Sequence, residues 1–268
     1  MKLAISTCYD YSVPLDKSLE HIAVAGFGSI SIGGRTDHSR YLKEDGRREI
    51  ASLVNKHKLE IDSIHAPFEP TADLTQHEEV LRHSAVVEIK RSIAACKELG
   101  VRTLIVHLNS FRSDGLSERI KHLKESLAQV MDHAARHSVR IAAENLPGDH
   151  SLVLLKFALD SFGGQELGLC FDNGHAALQR DSMALLEAYR GRIHAIHLHD
   201  NDGKSDQHKL PFDGSFDFPN LAAQLNKTHL ECPITIESET SNSPQKTPET
   251  FLPRALLAGT RFREMLKK

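Results

Sequence analysis

The stretch HLHDNDGKSDQH, residues 197–208, gives six of its twelve positions to His and Asp, side chains that hold metal ions. Short apolar runs elsewhere finish on the same donor types: EIDSIH on His65, TLIVH on His107, IAAE on Glu144, LCFD on Asp172, HAIH on His197 and TIE on Glu237. Singly, such a residue is more often a hydrogen-bonded rim group than a ligand. Six in succession are different. Converging carboxylates and imidazoles are costly to desolvate, and a bound divalent cation is the simplest compensation. The mixed oxygen and nitrogen donors suit Mn, Mg, Co or Zn rather than a soft metal.

The elements that must position these donors follow from the alternation of the chain. Eight apolar runs read as strands: 2–6, 28–33, 60–65, 102–108, 140–145, 167–172, 192–200 and 233–238. Between them lie segments of helical period. In residues 75–100, Leu81, Ala85, Ile89 and Ile93 recur every four residues and Gly100 stands at the helix stop. Repeated strand-then-helix units imply parallel strands with right-handed crossovers, which close most simply into a single (β/α)8 barrel over 1–268; a doubly wound open sheet is the alternative. The residue before each donor is apolar (Ile64, Val106, Ala143, Phe171, Ile196, Ile236). Side chains alternate faces along a strand, so these six face the helices and the donors face inward at the carboxyl-terminal mouth.

Composition narrows the classes of function. The 268 residues are 40% hydrophobic and 26% charged, values of a globular protein with a sizeable core. A formal net charge of −3 supplies no overall basic field for nucleic acid. Cys8, Cys96, Cys170 and Cys232 are scattered with no C-x-x-C pair, which argues against structural disulfides and cysteine zinc sites and fits a cytoplasmic protein. No apolar run approaches the length of a membrane span, and no signal peptide is read at the amino terminus. GFGS (26–29) precedes a strand instead of following one, so no nucleotide cofactor is expected.

The remaining polar residues sort by context. NDGKSDQ is a loop, with Asp200 and Asp202 as loop builders. Asp206 and His208, two residues apart, can share an ion if the segment is extended; a solvated loop accounts for them equally. His194 has the opposite parity to His197 and is structural, whereas His199 shares that parity and is open to a supporting or substrate-binding role. His21, His57, His83, His122, His133 and His137 lie on solvated helix faces. The loops YDY (9–11) and GGRTDH (33–38) follow strands without ligands and are free to recognise substrate. Arg35, Lys204 and Lys209 can meet a phosphate if the substrate carries one, against simple surface solvation.

Together HAPF (65–68), VHLN (106–109), AAEN (142–145), CFDNGH (170–175), HLHDNDGKSDQH (197–208) and TIESE (235–239) resemble the xylose isomerase-like barrel superfamily, which holds sugar isomerases, epimerases, related dehydratases and endonuclease IV. The resemblance spans nearly the whole chain. It implies that Glu144, Asp172, His197 and Glu237 form a core divalent-metal site, with Glu144 and Glu237 also carrying protons. His65, His107, His175, Asp206 and His208 match positions that complete a trinuclear zinc centre in endonuclease IV, so one to three ions are implied. His175 then holds a substrate hydroxyl or a third ion. The text after His65 (HAPFEPTADL) and after Glu144 (ENLPGDHSL) differs from endonuclease IV, and the loop followed by GSFDF is more similar to the isomerase and epimerase branch. The expected activity is metal-dependent sugar, sugar phosphate or polyol isomerisation or epimerisation through an enediolate, on a small carbohydrate. The alternative is a zinc phosphodiesterase acting on nucleic acid; a non-catalytic binding barrel is disfavoured by the complete set of strand-end donors. Oligomeric state is not legible.

Overall fold

The apolar runs form the strands β1 (Leu3–Ser6), β2 (Ser29–Ile32), β3 (Glu60–His65), β4 (Thr103–Val106), β5 (Arg140–Glu144), β6 (Leu167–Asp172), β7 (Ile193–Leu198) and β8 (Ile234–Ile236). In this computed structural model, which describes residues 1–68, 72–109, 114–163, 166–179 and 183–266, all pair in parallel and in chain order, and β8 returns to β1 to close the barrel. Closure removes the sheet edges and gathers every strand's carboxyl end around one mouth.

The outer layer is helical: α1 (Leu15–Val24), α2 (Thr36–Ser39), α3 (Glu44–His57), α4 (Glu79–Glu98), α5 (Leu116–His137), α6 (Asp149–Ser161), α7 (Asn173–Ala177), α8 (Ala184–Tyr189), α9 (Phe218–Leu225) and α10 (Pro248–Met265). Among the described residues, no helix is long and apolar enough to cross a membrane. Along α4 the expected stripe is buried at Ala85, Ile89 and Ile93, but Leu81, in the first turn, is exposed. Gly100 follows with a φ of 70°, the left-handed conformation that ends helices. One helix-face histidine departs from expectation: His122 is buried, its ring edge-on to His77 at 5.7 Å, because the loop carrying His77 folds over that face of α5.

Two apolar clusters separate the faces of the strands. Ile64, Val106, Ala143, Phe171, Ile196 and Ile236 belong to the large core between strands and helices. Ile105, Ala142, Cys170 and Ala195 form a small cluster of their own inside the barrel. The two-residue period therefore assigns the donor at each strand end to the interior. Between β6 and β7 the register shifts, Leu169 pairing with Ile193 and Cys170 with Ala195. His194 is the extra residue at this irregularity, buried with Nδ1 3.2 Å from the Ile141 carbonyl oxygen.

Candidate metal centre

Four adjacent strands supply the innermost donors. Glu144 ends β5, Asp172 ends β6, His197 lies one residue inside the end of β7, and Glu237 follows β8. All are buried. Around His197 Nδ1 stand Glu237 Oε2 at 2.9 Å, Glu144 Oε1 at 3.1 Å and Asp172 Oδ2 at 3.7 Å. One imidazole nitrogen carries at most one proton, so three carboxylates share a single possible hydrogen bond. The spacing is instead that of donors around one ion: bonds of about 2.0–2.2 Å at tetrahedral angles put neighbouring donors about 3.3 Å apart.

A second set adjoins the first through Glu144. Its Oε2 lies 3.1 Å from Nε2 of both His65 and His107. His65 Nδ1 is 2.7 Å from the Ala66 carbonyl oxygen, which can only accept, so that nitrogen donates. In a neutral ring Nε2 then presents a lone pair to a carboxylate. Either the ring is doubly protonated or a cation lies between them, and the backbone-fixed tautomer is the one metal-ligating histidines adopt.

A third set is built from the short helix and the loop. Asp172 caps α7, its Oδ1 accepting from the His175 amide at 2.7 Å, which fixes His175 over the mouth. His175 Nδ1 donates to the Asn145 carbonyl oxygen at 2.9 Å, and His208 Nδ1 to that of Glu237 at 2.7 Å. Their Nε2 atoms converge on Asp206 Oδ2 at 3.1 and 3.2 Å. His208 has a φ of 44°. The segment is therefore turned, not extended, at His208, and this left-handed residue swings the imidazole back toward Asp206.

His199 departs from the substrate-binding expectation. It is fully buried, with Nε2 at 2.9 and 3.1 Å from the two Asp172 oxygens and its ring stacked on His208 at 4.1 Å, and it does not line the cavity. Its donor atom falls within reach of the His175, Asp206 and His208 set, so it orients Asp172 or adds a ligand there. Arg35 is exposed, pairs with Asp37, and stacks over the Tyr11 ring at 5.1 Å. It reaches the cavity only through Tyr11, outside direct substrate contact.

The charges within the cluster support one another. Burial pushes the Glu144 carboxyl up, but the imidazoles of His197 and His107 more than reverse this and hold it well below the usual range. Burial likewise opposes charge on His175, yet Asp172 and Asp206 raise it to about 9. His208 is raised to about 10, burial being outweighed by its bond to Asp206 and by Glu237. Buried nitrogens at His107 Nδ1, His197 Nε2 and His199 Nδ1 have no protein partner among the described residues. The donor set thus fits a divalent metal: Glu144, Asp172, His197 and Glu237 for one ion, with the flanking sets able to hold others.

His65, His107, Glu144, His175, Asp206, His208 and Glu237 open into a cavity of about 340 Å³, lined also by Cys8, Tyr11, Gly34, Phe68 and Glu239. Tyr11 and Gly34 come from the two loops expected to be free for substrate. Phe68 and Glu239 end the motifs HAPF and TIESE, which carry the family resemblance without marking either residue as a site residue. Cys170 was discounted with the other cysteines, all of which are buried and unpaired, yet its sulfur lies within ligand reach of Glu144 and His197. Its position two residues before Asp172, on the same inward face, was the available clue. Asp200 is a loop builder, accepting from the amides of Asn201, Gly214 and Phe216. Asp202 accepts from those of Lys204 and Ser205.

Known proteins share this architecture. The solved structure of a D-tagatose 3-epimerase-like protein superposes with a TM-score of 0.83 at 21% identity, covering 100% of this chain and 98% of that one. The IOLI protein with a bound zinc atom superposes at 0.79 and 18% identity, with the same coverage. Among sequence relatives, the uncharacterised protein y4fM of Sinorhizobium fredii is 27% identical over 256 residues, covering 85% of this chain and 82% of its own. The probable endonuclease 4 of Carboxydothermus hydrogenoformans is 26% identical over 154 residues, 54% of this chain and 53% of its own. The family profile described as xylose isomerase-like TIM barrel matches residues 19–257, and the chain belongs to that family.

Proposed function

We propose that this protein is a metal-dependent isomerase or epimerase of a small carbohydrate. The observation that carries this reading is the pair of carboxylates, Glu144 and Glu237, joined through His197 and both lining a cavity the size of one sugar. Glu144, Asp172, His197 and Glu237 would hold a divalent ion, which would supply Lewis acidity toward a carbonyl and its adjacent hydroxyl. The chain's own groups do the rest. Glu237 takes the carbon-bound proton and passes it to solvent, and Glu144 relays a solvent-derived proton to the enediolate from the same or the opposite face. His175 holds a substrate hydroxyl, while Tyr11 and Phe68 cover the sugar and exclude water. The likeness to a D-tagatose 3-epimerase-like protein and to a zinc-binding barrel supports this assignment.

A second reading, zinc-dependent phosphodiester hydrolysis, is favoured by one feature. Each Glu144 oxygen faces a different set of imidazoles, as in a bridging carboxylate, and a third donor set stands at His175, Asp206 and His208. Enediolate chemistry needs only one ion. The readings separate in deuterated water: ketoses with Mn or Mg are expected to gain deuterium at the carbon beside the carbonyl. Cleavage of an abasic-site duplex with Zn, without any sugar conversion, would replace the first reading by the second.

A further inference from the structure

A second cavity, of about 770 Å³, opens at the other end of the barrel. Its residues precede or begin strands: Arg102 lies before β4, Arg140 begins β5, Ile193 begins β7, and Lys227–Glu231 lead into β8. It shares no lining residue with the mouth. Arg102, Arg140, Arg190, Arg192 and Lys227 stand on its wall against one lining carboxylate, Glu231. None of these five cations forms an ion pair among the described residues, and Asp62, on the adjoining wall, makes none with Arg140.

Two arginines show that this is more than a solvated basic face. The Arg192 guanidinium is locked by carbonyl oxygens, Nη1 donating to Leu159 at 2.6 Å and Nη2 to Phe162 at 2.9 Å and Leu167 at 2.7 Å. Carbonyls fix its position and leave its charge without a counterion. Arg140 has the reverse problem: Nη2 reaches only Thr103 Oγ1, at 3.4 Å, and its buried Nε has no partner. A guanidinium whose only hydrogen bond is this long one is under-satisfied, and anionic oxygens on its Nη groups would offset that cost. Burial and then the charges of Arg140 and Arg192 push His194, on the same wall, down to about 4, opposed only in part by its bond to Ile141 and by Glu166.

We propose that this basal cavity binds a small, multiply charged anion of the diphosphate class. Its volume lies within the usual range for small-ligand sites, and planar guanidinium forks match phosphate oxygens in pairs. The site is independent of the metal-ligand cluster and of the reaction proposed there.

Calorimetric titration of the purified protein with pyrophosphate tests this. The exposed pair Arg102→Glu/Arg190→Glu should weaken binding at least about tenfold, since two charge-assisted contacts are lost. Lys43→Glu/Lys124→Glu, exposed and remote, changes net charge equally and should leave affinity unaltered. The His194 ring resonances should shift on titration in the wild type and in the Lys43/Lys124 variant. ADP binding tighter than pyrophosphate identifies a nucleoside carrier, and equal binding identifies the free diphosphate group; either result supports the site. No binding by the wild type, equal weakening in both variants, or a silent His194 overturns it.

Discussion

Glu144 serves two neighbours at once, with Oε1 turned to His197 and Oε2 to His65 and His107. On the proposed scheme its replacement removes a ligand and a proton carrier in one step. Glu144→Gln and Glu237→Gln should each lower turnover by about 10²–10⁴-fold, the usual contribution of a positioned acid or base, while far-ultraviolet circular dichroism stays unchanged. Wild-type turnover in either variant would sink the proton-transfer scheme. Asp206 and His208 belong to a set completed by His175 and His199, apart from the strand ends. The double variant Asp206→Ala/His208→Ala should lose about one equivalent of bound metal and keep the strand-end ion, because rigid strands hold its ligands. Elemental analysis per chain reads this directly, and an unchanged count in fully loaded protein would assign the pair to a polar loop.

At the scale of elements, the site depends on α7 lying close against the end of β7. Asn173 Nδ2 donates to the His199 carbonyl oxygen at 2.9 Å, and Asn173 Oδ1 accepts from the His199 amide at 3.0 Å. Gly174 permits this approach: a methyl group there would stand 1.9 Å from His199 Cε1. His199 is buried and holds Asp172, so it has nowhere to retreat. Gly174→Ala should cost about 1–3 kcal/mol as an overpacked site and lower metal occupancy along with stability. Urea denaturation and metal content of the same preparation check this together. Full stability with full metal content would show that α7 can slide without disturbing Asp172.

Across the whole molecule the two ends of the barrel carry different electrostatic problems. At the mouth, carboxylates and imidazoles compensate one another. At the base, Asp62 is pushed up to about 6 by burial, only partly offset by a bond from Ser63 and the charge of Arg140. A carboxyl whose folded value is raised contributes most below its unfolded value, near 4, and loses that contribution as pH rises through about 6. Above pH 6 its charge is a burden. Asp62→Asn should therefore stabilise the protein by about 1–2 kcal/mol at pH 8, after discounting for partial exposure, and give no gain at pH 4. Denaturation midpoints at the two pH values test the sign; equal effects at both would mean that Asp62 titrates normally.

What the sequence determined by itself was everything that rests on local period. The eight strands, their parallel order and the inward phase of His65, His107, Glu144, Asp172, His197 and Glu237 follow from two-residue alternation and from helices between strands, which fix faces without knowledge of neighbours. Closure then makes convergence automatic. The tertiary structure decided what lies past the strand ends, where conformation depends on distant partners. His208 turns left-handed against the Glu237 carbonyl oxygen, and His199 disappears beneath Asp172 instead of facing substrate. Cys170 becomes a neighbour of Glu144 and His197, and Phe68 and Glu239 become cavity walls. The basal arginines meet only because β4, β5 and β7 begin at one rim. Each of these positions is set by contacts between residues far apart in the chain, which no local period encodes.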